Sequence, residues 1–337
     1  MKPTLGLVIG DPAGVGPELA AKLLALPETA EQANIVVLGD QRILQKGAEI
    51  AGVELAVNVI QSPADIDFGD VMNGNPLGGT PLLLDLPAPE ALAAPLGQVS
   101  AACGRAVLTN YTTALRLAND GVLAGFSFTP FNKGSLKLAG NPCEDELQFA
   151  AQELGHTKPV SEFNVLENMW NARVTSHVPL KDVAGLLSVE RIVTSIRLAH
   201  EALKTAGFAQ PRIAVAALNP HAGDNGNIGR EEIDIIAPAV AQAQALQIHA
   251  DGPFPGDTLY LRIRDGQYHC AVTMYHDQGQ TAIKLLGFDK GVTFLGGLPF
   301  PITTPAHGTA FDIAGQGKAN PEGTRRAFAM LCRMTTK

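Results

Sequence analysis

Residues 213–221 have the sequence Ile213-Ala214-Val215-Ala216-Ala217-Leu218-Asn219-Pro220-His221, an apolar run that ends in a polar turn and a histidine. The arrangement recurs where Arg173–Thr175 leads to Ser176-His177 and where Ala271–Tyr275 leads to His276. Short apolar runs bounded by turn residues predict buried strands. In open α/β sheets, ligands bind beyond the carboxyl ends of the strands. The three runs therefore predict an α/β fold with three histidines at the ligand-binding edge of a sheet.

The rest of the chain also alternates between strand and helix patterns. Leu5–Ile9 predicts a first strand rather than a signal peptide, because the apolar run is short and continues into Asp11-Pro12. Pro17 and Glu18 suit the first turn of a helix. Ile35–Leu38 is predicted to be a buried strand and Ser100–Asn119 a helix, after which Gly125–Thr129 leads into Pro130–Lys133. Pro63–Pro95, rich in Gly, Pro, Asp and Leu, is predicted to be irregular surface structure.

Composition narrows the class of protein. The chain has 337 residues, which suits two packed domains, and its 46 % hydrophobic and 17 % charged residues are typical of globular proteins. The formal net charge of −8 without a Lys/Arg cluster argues against a nucleic-acid partner. No apolar run has the length of a membrane span. Four cysteines without a CxxC pair predict reduced thiols in a cytoplasmic protein.

The three strand-end histidines are candidate metal ligands. A single histidine at a strand end is more often a hydrogen-bonded loop residue, and three in equivalent settings weaken that interpretation, although their long sequence separations are only a weak signal for a metal. Imidazole ligands suit Zn, Co, Ni or Mn and argue less strongly for Mg. Four other histidines have no comparable setting and are assigned structural roles: His156, His200, His249 and His269.

A glycine-rich stretch near the C-terminus, His307–Pro321, is a candidate ligand loop. Its glycines allow close approach of the backbone to a ligand, although a simple connecting loop fits the pattern equally well. The chain lacks the GxGxxG of a standard dinucleotide fold, and the loop Gly10–Glu18 lacks the Lys and Ser/Thr of a P-loop. The residues alone therefore leave both interpretations of His307–Pro321 open.

The same stretch resembles the adenine-binding loop of the β-decarboxylating dehydrogenases, which act on isocitrate and isopropylmalate. The whole chain resembles a related family, the 4-hydroxythreonine-4-phosphate dehydrogenases of pyridoxine biosynthesis. The blocks that carry this resemblance occur in order along the chain: Gly10–Glu18, Asn132-Lys133, Ser176–Leu180, Asn219–Asp224, Gly229–Glu232, Asp257-Thr258 and Met274–Gly279.

The resemblance implies an isocitrate-dehydrogenase-like α/β fold with two α/β/α domains and an interdomain cleft. We expect residues 1–130 with 300–337 to form the cofactor-side domain, and residues 131–299 to form the metal, substrate and dimerisation domain. It also implies a homodimer with the site at the subunit interface, NAD or NADP as cofactor, and one divalent metal per site.

Site residues follow from the same resemblance. The metal ligands would be His177, His221 and His276. The catalytic candidates are Asp257, Lys284 and Asp277, of which Lys284 would also contact substrate. The cofactor would be held by His307, Gly308, Thr309, Ala310 and Asn320.

The chain departs from the family where substrate is recognised. The family has Gly-His-Thr-Glu after Ala-Gly-x-Pro, whereas Glu146 and Leu147 stand at the His and Thr positions here. The family's Asn in Gly-Val-Asn is Thr293, and its Arg after Leu-Pro-Phe is Ile302. Losing the Arg removes a bidentate partner for an anion. The Glu146 carboxylate would also repel a substrate phosphate, since two like unit charges about 4 Å apart repel by about 4 kcal/mol at an effective dielectric near 20. Glu146, Thr293 and Ile302 therefore predict an altered substrate site.

The sequence thus predicts a metal-dependent dehydrogenase that oxidises a secondary alcohol of an unphosphorylated hydroxy acid or diol, with decarboxylation to follow. The metal would lower the pKa of the hydroxyl and favour hydride loss to NAD. Dihydrodiol-carboxylate dehydrogenases of aromatic degradation are a precedent in the family. Two alternatives stay open: the pyridoxine-pathway enzyme itself, and a non-catalytic binding protein on the same fold.

Overall fold

The computed structural model describes residues 2–65 and 80–336. Contacts divide the chain into two compact units, Met1–Thr157 with Leu298–Lys337 (unit 1) and Lys158–Gly297 (unit 2). Each unit combines a sheet with helices, so the predicted α/β class with two domains is confirmed.

The strands of the described residues are β1 (Thr4–Val8), β2 (Asn34–Gly39), β3 (Asn58–Ile60), β4 (Leu82–Asp85), β5 (Gly125–Phe128), β6 (Ser161–Leu166), β7 (Met169–Arg173), β8 (Ile213–Ala216), β9 (Ala250–Phe254), β10 (Cys270–Thr273), β11 (Val292–Gly296) and β12 (Ile302–Pro305). The α-helices are α1 (Gly16–Leu24), α2 (Pro27–Gln32), α3 (Gln41–Ala51), α4 (Pro89–Leu92), α5 (Ala101–Asn119), α6 (Lys133–Leu138), α7 (Glu146–Glu153), α8 (Val183–Leu186), α9 (Val189–Thr205), α10 (Ala237–Ala245), α11 (Gly256–Arg264), α12 (His276–Gly287) and α13 (Glu322–Thr335). A π-helical turn, Glu232–Ile236, precedes α10.

The sheet of unit 1 is parallel, with the strand order β3-β4-β2-β1-β5-β12. The strands β1 and β2 are almost continuously buried, as expected for a sheet covered by helices on both faces. Leu5–Ile9 and Ile35–Leu38 are confirmed as strands, and Ser100 caps α5 by accepting a hydrogen bond from the Cys103 N–H at 3.4 Å.

The first crossing between the units lies at 157/158 and not at 130/131 as predicted. Residues 131–157 belong to unit 1 because they complete an aromatic cluster around Tyr111. Its ring centroid lies 5.3 Å from that of Phe131 and 6.0 Å from that of Phe149. Gly104 of α5 also lies directly against the Ser135 carbonyl of α6, where a Cβ atom would not fit. The second crossing lies at 297/298, close to the predicted 299/300.

Unit 2 contains a mixed sheet with the order β11-β6-β7-β10-β8-β9. Strand β6 is antiparallel to both of its neighbours, while β7, β10, β8 and β9 are mutually parallel. The three strands predicted from their terminal histidines are therefore adjacent, and their carboxyl ends lie at one edge of the sheet.

The prediction of irregular structure over Pro63–Pro95 is wrong for its C-terminal part. Leu82, Leu83 and Leu84 form the buried strand β4 between β3 and β2, and α4 follows at Pro89. A run of three buried leucines outweighs the flanking Gly and Pro residues. Residues 66–79 lie outside the described part of the chain. None of the described helices combines the length and apolar character needed to cross a bilayer.

Candidate active site

The carboxyl ends of β7, β10 and β8 carry the three candidate metal ligands. His177 follows β7, His276 begins α12 directly after β10, and His221 follows β8. The ring centroids of His177 and His276 lie 5.7 Å apart, with the ring planes inclined by 44°. The fold therefore brings side chains from two well-separated parts of the sequence together at one edge of the sheet.

The imidazole of His276 is oriented by its neighbour Asp277. Its Nδ1 lies 2.6 Å from Asp277 Oδ1, so the carboxylate can accept a hydrogen bond from Nδ1–H, and Nε2 is then the ring nitrogen that can face a ligand. A metal-binding histidine is usually held in this way by a carboxylate or carbonyl on its second nitrogen. Asp277 itself is mostly exposed. The geometry supports a role for Asp277 in fixing the His276 tautomer.

Gln278, two residues after His276, connects the ends of β10 and β8. Its Oε1 accepts a hydrogen bond from the Met274 N–H, and its Nε2 donates to the Ala217 carbonyl beyond β8, both at 2.7 Å. A Cβ atom on Gly256 would lie 3.0 Å from Gln278 Nε2, so α11 begins beside this side chain. Asp257, an exposed residue in the first turn of α11, is thereby brought to the same edge.

His221 lies in an unusual backbone turn. The φ angles of His221, Ala222, Gly223, Asp224 and Asn225 are 54°, 54°, 77°, 42° and 56°. Left-handed backbone costs a non-glycine residue on the order of 1–2 kcal/mol. Four non-glycine residues with such φ angles within five consecutive positions persist only where the surrounding structure fixes them, which is a feature of functional sites.

Glu232 is the buried group next to this turn. Its Oε1 accepts hydrogen bonds from the Leu218 and Asn219 N–H groups at 2.8 and 2.7 Å, and its Oε2 accepts from Asn219 Nδ2 at 2.9 Å. Burial alone would raise the pKa of Glu232, but the hydrogen bonds from Asn219 and Leu218 outweigh it and lower the pKa. The buried carboxylate therefore stays ionised without a cationic partner among its hydrogen bonds.

Beside His177, a buried arginine organises the end of β7. Arg173 donates from Nε to Ser176 Oγ at 2.9 Å, from Nη1 to Asn164 Oδ1 at 2.6 Å, and from Nη2 to Glu162 Oε2 at 2.6 Å. Asn164 also donates to Thr293 Oγ1 at 3.5 Å across the β6–β11 pair. Thr293, a predicted substrate residue, is thus joined by hydrogen bonds to the residue that precedes His177.

The donor chemistry fits a divalent cation. In residues 2–65 and 80–336, no three His, Cys, Asp or Glu side chains already form a group that could hold a metal ion. The structure thus pairs His177 with His276 and does not place His221 with them in a closed ligand set. Imidazoles at adjacent strand ends, one with a carboxylate on its Nδ1, nevertheless match the donor set of catalytic metal sites. Lys284 lies exposed on α12, two turns beyond His276.

The predicted cofactor residues form a loop in unit 1. Val15 N–H donates to the Thr309 carbonyl at 3.0 Å, and Asn132 Nδ2 donates to Thr309 Oγ1 at 3.4 Å. Ala310 has a left-handed φ of 42°. His307 Nε2 is buried and has no hydrogen-bond partner among the residues that the structure describes. Such an orphaned polar atom fits a loop that completes its hydrogen bonds with a ligand.

The far end of this loop is held by a buried ion pair. Lys22 Nζ donates to Glu18 Oε1 at 2.7 Å and to the Gly317 and Ala319 carbonyls at 2.9 and 2.8 Å. The Ala319 N–H donates to Glu18 Oε1 at 2.9 Å. Helix α1 thus fixes the backbone just before Asn320, whose side chain accepts a hydrogen bond from the Glu322 N–H at 3.0 Å.

The remaining predicted substrate residues differ in their surroundings. Glu146 is half-buried in the first turn of α7, where the helix N-terminus stabilises a carboxylate. Ile302 has no exposed surface and pairs with Phe126 in the sheet of unit 1, which argues against a direct substrate contact. Its apolar side chain is part of the core, so the change from the family's arginine removes an anion partner and adds no new substrate contact.

The cysteines show no sign of activation. Burial raises the pKa of Cys270 to about 12 and that of Cys332 to about 11. Burial also raises the pKa of Cys103 and of Cys143. A nucleophilic thiol needs a lowered pKa. The four cysteines are therefore not catalytic candidates.

Sequence reasoning missed three of the site's supporting groups. Glu232 stood in a recognised block, but nothing local indicated that its carboxylate accepts hydrogen bonds from Leu218 and Asn219. The Glu18–Lys22 spacing of four residues predicts a helical ion pair, but not its contacts with residues 317–319. No sequence signal indicated Arg173, because two of its three partners, Glu162 and Asn164, lie on the neighbouring strand β6.

Comparison with known proteins places these features in a family. The model of the family "Pyridoxal phosphate biosynthetic protein PdxA" matches residues 31–331. A Pseudomonas aeruginosa protein with the provisional name 4-hydroxythreonine-4-phosphate dehydrogenase 2 is 50 % identical over 334 residues, covering 98 % of this chain and 97 % of the relative.

Solved structures agree with this assignment. A 4-hydroxythreonine-4-phosphate dehydrogenase from Klebsiella pneumoniae is similar with a TM-score of 0.86 at 35 % identity, covering 100 % of this chain and 99 % of that one. A terephthalate 1,2-cis-dihydrodiol dehydrogenase from Burkholderia xenovorans is similar with a TM-score of 0.68 at 26 % identity, covering 99 % and 98 %.

Proposed function

The chain belongs to the PdxA family and is an oxidoreductase that acts on CH–OH groups, and we propose that it is a divalent-metal-dependent, NAD(P)-linked dehydrogenase of an unphosphorylated hydroxy acid or diol. The observation that carries this proposal is the pairing of His177 with His276 at adjacent strand ends, with Asp277 on the Nδ1 of His276. Family membership supports the dehydrogenase chemistry, and the histidine pair supports the metal.

The residues at this edge have distinct roles in the proposal. His177, His221 and His276 would hold the metal, which when bound lowers the pKa of a secondary hydroxyl and stabilises the charge that develops if carbon dioxide is lost. Asp277 keeps the His276 Nε2 available by accepting a hydrogen bond from Nδ1–H. Lys284 supplies a positive charge to a substrate carboxylate, and Asp257 orients a hydroxyl or transfers a proton.

The cofactor side of the proposal rests on residues 307–320. Buried His307 Nε2 needs a partner, and a nucleotide can supply one. Thr309 and Ala310 lie in a backbone fixed by Val15, and Asn320 lies directly after the segment that Lys22 holds. We assign NAD or NADP to this loop together with Gly308, whose missing side chain leaves open space.

The proposal of an unphosphorylated substrate rests on Glu146 and on the lost arginine. Glu146 brings a carboxylate to the position where the family resemblance puts a phosphate contact, and Ile302 cannot donate the two hydrogen bonds that an arginine gives to an anion. The Burkholderia relative is named for a dihydrodiol and not for a phosphate ester, so the scaffold is compatible with such substrates.

A second candidate function is favoured by the Pseudomonas relative. Its name specifies 4-hydroxythreonine 4-phosphate, and it is 50 % identical to this chain. Under this alternative the chain is a pyridoxine-pathway dehydrogenase whose phosphate site uses other cations. Complementation of a pyridoxine auxotroph separates the two candidates in vivo.

A matched substrate pair tests the proposal directly. The purified protein is assayed with NAD or NADP and a divalent metal on 4-hydroxythreonine 4-phosphate, on 4-hydroxythreonine, and on four-carbon hydroxy acids with and without a terminal phosphate. We expect higher kcat/KM for the unphosphorylated member of each pair. Higher kcat/KM for the phosphate esters would support the second candidate, and failure to bind any nicotinamide cofactor or metal would leave a binding protein.

Assembly and location complete the proposal. Large hydrophobic side chains exposed in the described part of unit 2 include Val178 and Leu180 beyond His177, and Leu285 and Leu286 at the end of α12. We propose that a second copy of the chain covers part of this surface, so that the site lies at a homodimer interface. We place the enzyme in the cytoplasm, where unpaired cysteines stay reduced.

A further inference from the structure

We propose that Glu232 is a positioning residue that fixes the left-handed turn carrying His221, and thereby sets the affinity of the protein for its divalent metal. The inference rests on the proposed function, because it takes His221 as a metal ligand. It goes beyond it by assigning the control of that ligand to a buried carboxylate that does not itself bind the metal.

The backbone of residues 221–225 is the first part of the case. All five φ angles lie between 42° and 77°, and four of these residues carry a Cβ atom. His, Ala, Asp and Asn have no preference that would hold them all in this region as a free chain. The turn must be imposed by contacts from outside it, and its entry point at Leu218 and Asn219 is where such contacts occur.

Glu232 supplies these contacts. Its two oxygens accept three hydrogen bonds from Leu218 and Asn219, at 2.7 to 2.9 Å. Glu232 is only 3 % exposed. Hydrogen bonds to an ionised acceptor are roughly twice as strong as neutral ones. The carboxylate thus holds the main-chain N–H groups of Leu218 and Asn219, which lie between β8 and the turn that begins at His221.

Two glycines show that the carboxylate and the turn fit closely. A Cβ atom on Gly223 would lie 2.6 Å from Glu232 Oε2, and one on Gly229 would overlap the Asn219 amide. The turn therefore passes directly over the Glu232 oxygens. Moving or neutralising this carboxylate changes the support beneath the segment that presents His221.

The main test measures metal affinity by titrating the full chain with Co²⁺ alone. Glu232→Gln keeps the shape of the side chain but places an NH₂ group where Asn219 needs an acceptor. We expect Co²⁺ affinity to fall by about 10- to 100-fold, as for other residues that orient metal ligands. The visible absorption spectrum of the Co²⁺-loaded protein should change as well, which a general loss of stability would not cause.

Gly223→Ala is the second variant, because it keeps every charge and obstructs the contact sterically. We expect it to weaken Co²⁺ binding in the same direction. Its matched control is Gly266→Ala: Gly266 has φ +74°, close to the +77° of Gly223, but a Cβ atom there meets nothing within 4 Å. Asp234→Asn, which removes an exposed carboxylate paired with Arg230, controls for the loss of negative charge.

The outcomes separate this inference from the proposed function. Weak binding in E232Q and G223A, with near-native binding in G266A and D234N, supports the inference. Native affinity and an unchanged Co²⁺ spectrum in E232Q or in folded G223A overturn it and leave the proposed function standing. Absence of Co²⁺, Mn²⁺ and Zn²⁺ binding by the unmodified chain overturns both. Circular dichroism of the metal-free proteins checks folding, and G223A decides the matter if E232Q does not fold.

Discussion

Arg173 shows how one buried charge can hold two neighbouring strands and the turn that follows one of them. Its guanidinium is 6 % exposed and contacts Ser176, Asn164 and Glu162, which lie on or next to β6 and β7. Three donors in a planar fork define the positions of three acceptors. The turn that leads to His177 is therefore tied to the strand that pairs with Thr293.

Removing this guanidinium should be costly. Arg173→Met leaves Glu162 partly buried without its cation, and we expect the free energy of unfolding to fall by roughly 3 kcal/mol. The measurement is urea unfolding. The control is Arg116→Met, which breaks an ion pair whose arginine is 71 % exposed and should cost less than about 1 kcal/mol. Equal losses in the two variants would contradict a special role for Arg173.

Asp11 gives a pH-dependent prediction. It is fully buried after β1, and its Oδ1 accepts a hydrogen bond from the Ala13 N–H at 2.9 Å. Burial raises the pKa of Asp11 above 3.8, although hydrogen bonds from Ala13, Ser135 and Asn132 act in the opposite direction. Because the unfolded carboxyl releases its proton first, this group costs stability as pH rises above about 4.

Asp11→Asn removes that cost. We expect the melting temperature of the variant, relative to that of the unmodified protein, to rise between pH 4 and pH 8. Differential scanning calorimetry over this range checks it, and Asp120→Asn at an exposed site is the control. A difference in melting temperature that stays constant with pH would show that the Asp11 pKa is not raised by folding.

Among the elements, helix α1 and the loop at residues 317–319 act as a pair. Lys22 bridges Glu18 and two loop carbonyls, so it neutralises a buried carboxylate and fixes the loop with one side chain. This contact spans nearly the whole length of the chain. If residues 307–320 hold the nicotinamide cofactor, Lys22 determines how well the loop is organised before binding.

Lys22→Met should therefore weaken cofactor binding. We expect the dissociation constant of NAD or NADP to rise by roughly tenfold, which corresponds to about 1.4 kcal/mol, with a smaller change in metal affinity. Isothermal titration calorimetry measures both quantities. Lys137→Met, at an exposed position of α6, is the control. Unchanged cofactor affinity in Lys22→Met would argue that the loop does not depend on this contact.

Elements that are indicated by their own residues could be predicted from the sequence. Elements that are fixed by contacts with distant residues could not. The strands before His177, His221 and His276 were recognisable because buried parallel strands are apolar runs with polar ends. Strand β4 was missed, since its three leucines are surrounded by turn-forming residues. The left-handed turn at 221–225 has a local indication only in Gly223, because its conformation depends on Glu232.

In the whole molecule, the predicted metal-site residues and the predicted cofactor loop belong to different units. Unit 2 brings the histidines to one sheet edge, and unit 1 contains the loop at 307–320. The family could be recognised because its blocks occur in order, but the extent of unit 1 could not, because Phe131 and Phe149 join it through contacts with Tyr111. Unit 2 also exposes large apolar side chains, among them Leu180 and Leu285.

The proposed homodimer can be tested by placing a charge at one of these exposed apolar positions. Leu285 is 82 % exposed and Leu180 is 69 % exposed, both in unit 2, so each is an apolar side chain that a partner subunit could cover. We expect sedimentation equilibrium to give a mass about twice the 35.3 kDa of the chain. Leu285→Lys should shift the equilibrium towards the single chain, because a charge in an apolar interface loses its hydration.

Leu138→Lys is the matched control, since Leu138 is 62 % exposed but lies in unit 1. It should leave the mass unchanged, so that the effect can be assigned to the position and not to the added charge. If the site lies at the interface, Leu285→Lys should also lose activity at low protein concentration and regain it as the concentration rises. A single-chain mass for the unmodified protein, together with full activity, would show that one copy forms the site by itself.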